Sequence, residues 1–446
     1  MHMMRKIYIA TILTGSILLS SCDSYLDIQP IGKVIPNTLS EYRALLTTAY
    51  NKGAKIIDKG VIDFRSDMSI VSTSSTAQNA YSDIEKWNDI TPSSTTREFQ
   101  WESFYSVIYY ANAIIDKQSQ ITEGSQEEIN QLVGEAYLLR GYTHFILVNF
   151  YGQPYTKEGG PESKSIPLKW DLDLEGTPSR NTVKEIYTAI LADIESARKL
   201  INQESWEKKY SYRFSSLSVD AMESRVRLYM GEWEKAYETA ELTLAKKSDL
   251  EDFNDVDSKL PNNYESVETI TAYEVIYYSV FADQALLSAS FMQKYVENHD
   301  LRPDKYYSTA NADGNYPSLK SKENCTFRTA ELYLNAAEAA AHLNKIKEAR
   351  TRLLQLMKNR YTPEGYEEKA NAVNKMEKDA LITEILEERA RELAFEGHRW
   401  FDLRRTTRPR IQKVINGQTY ILEENDSRYT LRIPQAAIDA NPGLLN

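Results

Sequence analysis

The sequence predicts a mainly α fold: a tetratricopeptide-like helical scaffold with large irregular loop insertions. Three observations carry that expectation. Apolar residues recur every three or four positions over several long stretches. Residues 228–240 and 332–353 resemble each other, each reading as helix, tight turn and helix, with alanines where two helices would meet closely. Long polar segments separate these helical stretches, 251–324 being the longest.

In chain order, residues 39–49 place Leu39, Tyr42, Leu45, Leu46 and Ala49 on one helical face. A polar stretch rich in Ser, Thr, Asp and Asn fills 53–96. Trp101, Phe104, Tyr105, Ile108, Ala111, Asn112 and Ile115 then repeat at helical spacing. A further helix is predicted over 127–151, stopped by Gly152 and Pro154. Thr182 with Glu185 makes a capping box for a helix whose stripe runs from Val183 through Ile190 to Ile201. Segment 387–405 alternates charges three or four positions apart, which suits ion pairs along a helix. Gly397 lets the chain leave helical geometry there, with Trp400, Phe401 and Leu403 packing beneath. The expected result is a buried or half-buried ionic network, rather than an acid–base pair of Glu396 and His398.

The N-terminus reads as an export leader. Arg5-Lys6 precede an apolar run over 7–19, and Leu19-Ser20-Ser21-Cys22 closes it. That run is shorter than the roughly 20 residues a membrane span needs. The cysteine stands where a bacterial lipoprotein is cut and acylated, so Cys22 is the expected lipid attachment and the membrane anchor. Net charge is −11, and removing residues 1–21 takes away Arg5 and Lys6 and no acid, giving −13. Such an acidic body does not suit nucleic acid. With Cys22 acylated, Cys325 is left alone and no disulfide forms.

A search for catalysis finds little. His144, His299, His342 and His398 lack zinc-ligand spacing, and there is no nucleophile elbow or phosphate loop. The acids Asp249, Glu251, Asp252, Asp255 and Asp257 read as solvated loop carboxylates rather than a calcium site. No enzyme activity, metal or cofactor is expected.

Several pieces, in order, resemble the SusD/RagB family of Bacteroidetes outer-membrane lipoproteins. They are Cys22-Asp23-Ser24-Tyr25-Leu26-Asp27 with Pro30, then Trp101, Tyr105 and Ile108 with Ala111-Asn112. Next come Glu135–Tyr142 with Val148–Gly152 and Pro154, and Arg328, Ala330–Leu334 and Ala337–Ala339. The run 387–405 is similar to the family's C-terminal hallmark, and Leu431, Ile433-Pro434 and Asn441–Gly443 to its closing strand and tail. On this resemblance residues 1–21 are a signal peptide, 22–245 an N-terminal part with the first helical pairs, and 246–446 a C-terminal part. It implies a mostly helical fold of about four tetratricopeptide-like helix pairs with minor β structure, in a lipid-anchored outer-membrane protein facing the exterior. That protein would bind an oligosaccharide or other nutrient and cap a SusC-like TonB-dependent transporter, without catalysis.

The matching motifs are scaffold motifs and carry no ligand residues. Chemistry and position alone suggest two aromatic groups in polar insertions. One is Trp87 with Tyr81, Asp83, Asn88, Arg65 and Asp67. The other is Tyr306, Tyr307 and Tyr316 with Asn311 and Asp313. Indole and phenol faces suit sugar rings, while the polar groups suit hydroxyls. Trp101 and Trp400 read as frame residues, and Trp233 as packing its repeat turn. Two other readings stay open: a peptide cargo, and a lipid-anchored glycoside hydrolase.

Overall fold

The computed structural model describes residues 36–173, 175–277, 281, 283–295, 299–310, 316–317 and 325–445. Cys22, the leader, Asn311 and Asp313 lie outside the described residues. The helices that build the frame, in chain order, are α1 (Leu39–Ala54), α2 (Ser75–Glu85), α3 (Trp101–Asp116), α4 (Gln126–Tyr151), α5 (Val183–Leu200), α6 (Ser216–Met230), α7 (Trp233–Lys246), α8 (Thr329–His342), α9 (Ile346–Met357), α10 (Pro363–Val373), α11 (Lys378–Glu392) and α12 (Arg399–Arg405). None of the described helices is long and apolar enough to cross a membrane.

The helix starts follow their caps. Thr38, Ser125 and Thr182 each accept a backbone N–H three residues on, while Glu41, Glu128 and Glu185 reach back to complete capping boxes. The first helix runs five residues beyond the expected end at 49, because Tyr50 and Gly53 are also buried. Four pairs form as expected: α1 with α3, α4 with α5, α6 with α7, and α8 with α9. The two similar hairpins reverse at left-handed residues, Gly231 (φ 72°) and Asn344 (φ 60°), which tolerate that conformation best. Ala236, Ala240 and Ala339–Ala341 are buried where α7 and α8 pack together. Trp233 stacks on His342 at 3.9 Å and 6°, so it joins one repeat turn to the next rather than serving its own alone.

The stretch 53–96 is less irregular than its composition suggested. It holds a turn of helix (Asp58–Val61), strand β1 (Ser69–Val71) and α2. The remaining strands are β2 (Thr269–Thr271), β3 (Ala285–Leu287), β4 (Tyr316–Pro317), β5 (Phe327–Arg328), β6 (Ile411–Ile415) and β7 (Gln418–Leu422). β3 lies between β1 and β4, all antiparallel, with Leu287 opposite both Ser69 and Tyr316. That sheet sews the two insertions into a second apolar cluster built around Phe64, Tyr81, Phe281 and Phe291. The expected closing strand at 431–434 is not one. Leu431 donates a single backbone hydrogen bond to Phe150, and the C-terminal ladder is the β6–β7 hairpin. Helices from both sides of residue 245 share the main core.

The charged run forms the expected network, deeper than a surface helix requires. Glu392 accepts from Arg302, Arg328 and Arg360 at 3.2, 2.7 and 2.9 Å, and all four side chains are essentially excluded from water. Arg328 also binds Glu268 and Glu396 at 3.0 and 2.8 Å. Next to it, Arg405 pairs with Glu338 and Asp402, and Arg389 with Asp402. Glu396 is therefore an ion-pair partner, and burial beside cationic neighbours pushes the His398 imidazole well below its ordinary range.

The chain leaves α11 earlier than Gly397. Phe395 is already left-handed at φ 59°, and Gly397 follows at φ 72°. A Cβ on Gly397 would sit 2.8 Å from Cβ of Lys59. Gly397→Ala is expected to cost about 2 kcal/mol, from left-handed strain plus that contact. Chemical denaturation checks it, and an unchanged midpoint would mean that the backbone relaxes.

Candidate functional site

Tyr81 of the first predicted aromatic group joins the second group in the apolar cluster beside the three-stranded sheet, while Trp87 is buried in the main core. Trp87 is 1 % exposed. It ends α2 in the left-handed region (φ 56°), with its N–H donated to Ile84 and that of Asn88 to Asp83. This is a Schellman turn with tryptophan where glycine is usual. The cost of that backbone is offset by placing the indole under the lobe. There its N–H donates to the Arg65 carbonyl at 2.9 Å, and the Lys413 ammonium lies 5.5 Å from its centre. Neither face of the ring is open, so Trp87 is a frame residue here and not a sugar platform.

The rest of that group divides in the same way. Arg65 is wholly buried, clasping Asp89 at 2.7 and 2.8 Å and lying over Trp400, which stacks on Tyr429. Tyr81 packs among Phe64 and Phe281. Asn88 and Asp83 hold their own loop, Asn88 donating to Asp83 and Thr91, both at 2.9 Å. Asp67 alone reaches a cavity wall. Both its oxygens accept from Arg399 at 2.7 Å, and although burial opposes it, the guanidinium holds the carboxyl below its ordinary range.

The second group behaves differently. Tyr306 is buried against Phe253, its hydroxyl donating to the Glu392 carbonyl at 3.3 Å. Tyr307 turns its hydroxyl inward to Tyr295 at 2.9 Å while its ring backs a cleft. Tyr316, in β4, is half-buried on the wall of that same cleft. The cleft encloses about 590 Å³ and adds Met292, Asp304, Ser308 and Thr309 to the lining. Asp304, Ser308 and Thr309 are exposed and were missed from the sequence, although they stand beside the Tyr306-Tyr307 pair.

A second depression, about 600 Å³, lies by the same short helix, Ala289–Met292, and is lined by Asp67, Lys294, Glu387, Arg399 and Gln412. Two pairs of its charges are spent on each other, Lys294 on Glu387 at 2.6 Å and Arg399 on Asp67, while Lys413 donates to the Ser69 carbonyl at 3.1 Å. It offers no aromatic ring. The cleft at Tyr316 has the chemistry a sugar ring needs: a phenol face, hydroxyls and a carboxylate. Among the described residues, no group of three His, Cys, Asp or Glu is placed to hold a metal ion. Glu251, expected to be solvated, is instead buried, bracing its loop by accepting from Ser266 and Val267 at 2.7 and 3.0 Å.

Comparison with known proteins agrees with this architecture. Residues 24–228 match a family described as starch-binding and associating with the outer membrane, and residues 152–446 match the SusD family. The chain is 27 % identical to SusD-like protein P38 of Formosa agariphila, covering 90 % of this chain and 92 % of that protein. A SusD superfamily protein of Bacteroides thetaiotaomicron superposes with a TM-score of 0.77 at 23 % identity, covering 91 % of this chain and 99 % of that one. A SusD-like carbohydrate-binding protein of Bacteroides vulgatus gives 0.71 at 20 % identity, over 92 % and 97 %. With the SusD family model matching residues 152–446, most of its length, the chain belongs to the SusD/RagB family.

Proposed function

We propose that this protein is a surface-exposed glycan-binding lipoprotein, anchored through Cys22 in the outer membrane. It captures an oligosaccharide for a SusC-like TonB-dependent transporter, and it is not an enzyme. The observation that carries the ligand class is the cleft where Tyr316 stands half-buried opposite Asp304, Ser308 and Thr309. A pyranose presents apolar C–H groups to a phenol, while its hydroxyls both donate and accept. The relatives' names favour carbohydrate cargo, and the leader favours a tether. The repeat face serves as the rigid side that meets the transporter.

Native gels cast with a panel of neutral polysaccharides test this reading on soluble protein spanning residues 23–446. Retardation is expected in at least one gel and reduced in Tyr316→Ala. That variant should unfold within about 0.5 kcal/mol of the parent, as partly exposed changes usually do. Retardation in no gel, or undiminished retardation of Tyr316→Ala, would count against the cleft. Binding of peptides in a parallel titration would then favour peptide cargo. Native membranes should yield the protein together with its transporter, and its isolation alone would sink the partnership.

A further inference from the structure

A separate pocket of about 480 Å³ opens where the starts of α1 and α4 meet the loop after α5. One wall is Trp206, half-buried within a loop otherwise exposed from 202 to 210. The indole is fixed on two sides. Its N–H donates to the Phe214 carbonyl at 2.9 Å, and the Arg213 guanidinium lies 3.7 Å from the ring centre. Arg213 is itself anchored from below, on Glu135 of α4 at 2.9 Å, and Arg43 of α1 reaches the same carboxylate at 3.0 Å. Glu135 is wholly buried and also accepts from Tyr50 and Gln131 at 3.1 and 3.0 Å. Tyr210, 40 % exposed and outside the lining, stands edge-on to Trp206 at 6.3 Å. The indole angle is thus set by a guanidinium that a buried acid holds in place.

The polar lining narrows the ligand. Arg43 and Arg213 supply donors and Glu127 acceptors, Ser40 and Gln203 can do both, and the Asn202 amide donates to the Glu127 carbonyl at 2.8 Å while accepting from Gln203 at 3.1 Å. The two arginines are nearly balanced by Glu127, Glu128 and Glu135, and the Glu128 carboxylate is already folded back onto the Ser125 N–H at 2.8 Å. A balanced lining of donors and acceptors matches hydroxyls better than an ion, and the Trp206 indole matches the apolar side of a pyranose. We propose that this pocket is a second sugar-binding site, which takes one ring of a neutral oligosaccharide against Trp206, apart from the cleft at Tyr316. Its ligand class rests on the glycan-binding reading, while its geometry stands independently. Two such sites on one rigid frame would let a long chain be held at two points, raising avidity without tightening either site.

Indole N–H signals of ¹⁵N-labelled protein spanning residues 23–446 provide the test. The probes are malto-, manno-, xylo- and galacturono-oligosaccharides of equal length, and Trp206→Phe identifies the signal by its loss. The Trp206 signal is expected to move with at least one neutral probe and to move equally in Tyr316→Ala. Arg213→Lys keeps the charge on Glu135 but loses the planar stack, and should weaken the response about threefold. No movement with any neutral probe overturns the proposal, as does movement with the galacturonate alone. A shift that disappears in Tyr316→Ala also overturns it, because there is then one site. A shift that survives while gel retardation is insensitive to Tyr316 sinks the cleft and leaves this pocket standing.

Discussion

Glu392→Gln is expected to lower the free energy of unfolding by about 3–5 kcal/mol, a large share of the stability of an ordinary folded chain. The substitution keeps shape and removes one charge. That charge is the shared partner of Arg302, Arg328 and Arg360, each 2 % exposed or less. A buried pair contributes modestly when whole, because desolvation consumes most of its Coulomb gain. Broken on one side, it leaves an uncompensated ion in the interior. Here a single change strands part of the charge on three arginines at once. The same chemistry sets an acid limit. Burial would raise the carboxyls of Glu388 and Glu392, but the arginines outweigh it and hold Glu388 at about 2 against an ordinary 4.5, with Glu392 likewise depressed. The folded chain then binds protons less readily than the unfolded one. Stability from these groups is whole above pH 4.5 and is lost as pH falls towards 2. Denaturant titrations at neutral pH and at pH 3 check both statements. A Glu392→Gln variant as stable as the parent would mean that water enters the network.

Trp87→Ala should cost about 3–5 kcal/mol as well, the range for emptying a large buried aromatic site. The indole fills the space under the lobe, ties Arg65 through its backbone carbonyl and caps α2. An exposed sugar platform would behave in the opposite way, with binding lost and stability kept. Thermal melts and gel retardation of Trp87→Ala and Tyr316→Ala, taken together, separate the two roles. A crossed result is expected, with Trp87→Ala unstable and Tyr316→Ala stable but weakened in retention. If Trp87→Ala kept its melting temperature and lost only retention, the ligand would have to reach the ring, and the site would move to residues 65–89.

The frame was legible because its causes are local. Capping at Thr182, apolar spacing from Val183 to Ile201, and the reversal at Gly231 all act within a turn or two of the residues concerned. The ionic run at 387–405 was legible as a network because alternating signs announce pairing, although its arginine partners at 302, 328 and 360 carry no local signal. The short helix and strand within 53–96 were not legible. Their apolar residues become useful only when β3 arrives from the far insertion to cover them.

The sequence by itself determined the helix pairs, the two inserted segments, the charged helix and the family to which they point. Only the tertiary structure decided which aromatic rings face water. Trp87 and Tyr316 both sit in polar stretches and look equivalent in sequence. The first is enclosed by Arg65 and Lys413, which come from different parts of the chain, and the second stands on an edge strand beside a cleft. Burial is a property of the neighbours that folding supplies, and composition around a residue does not name them.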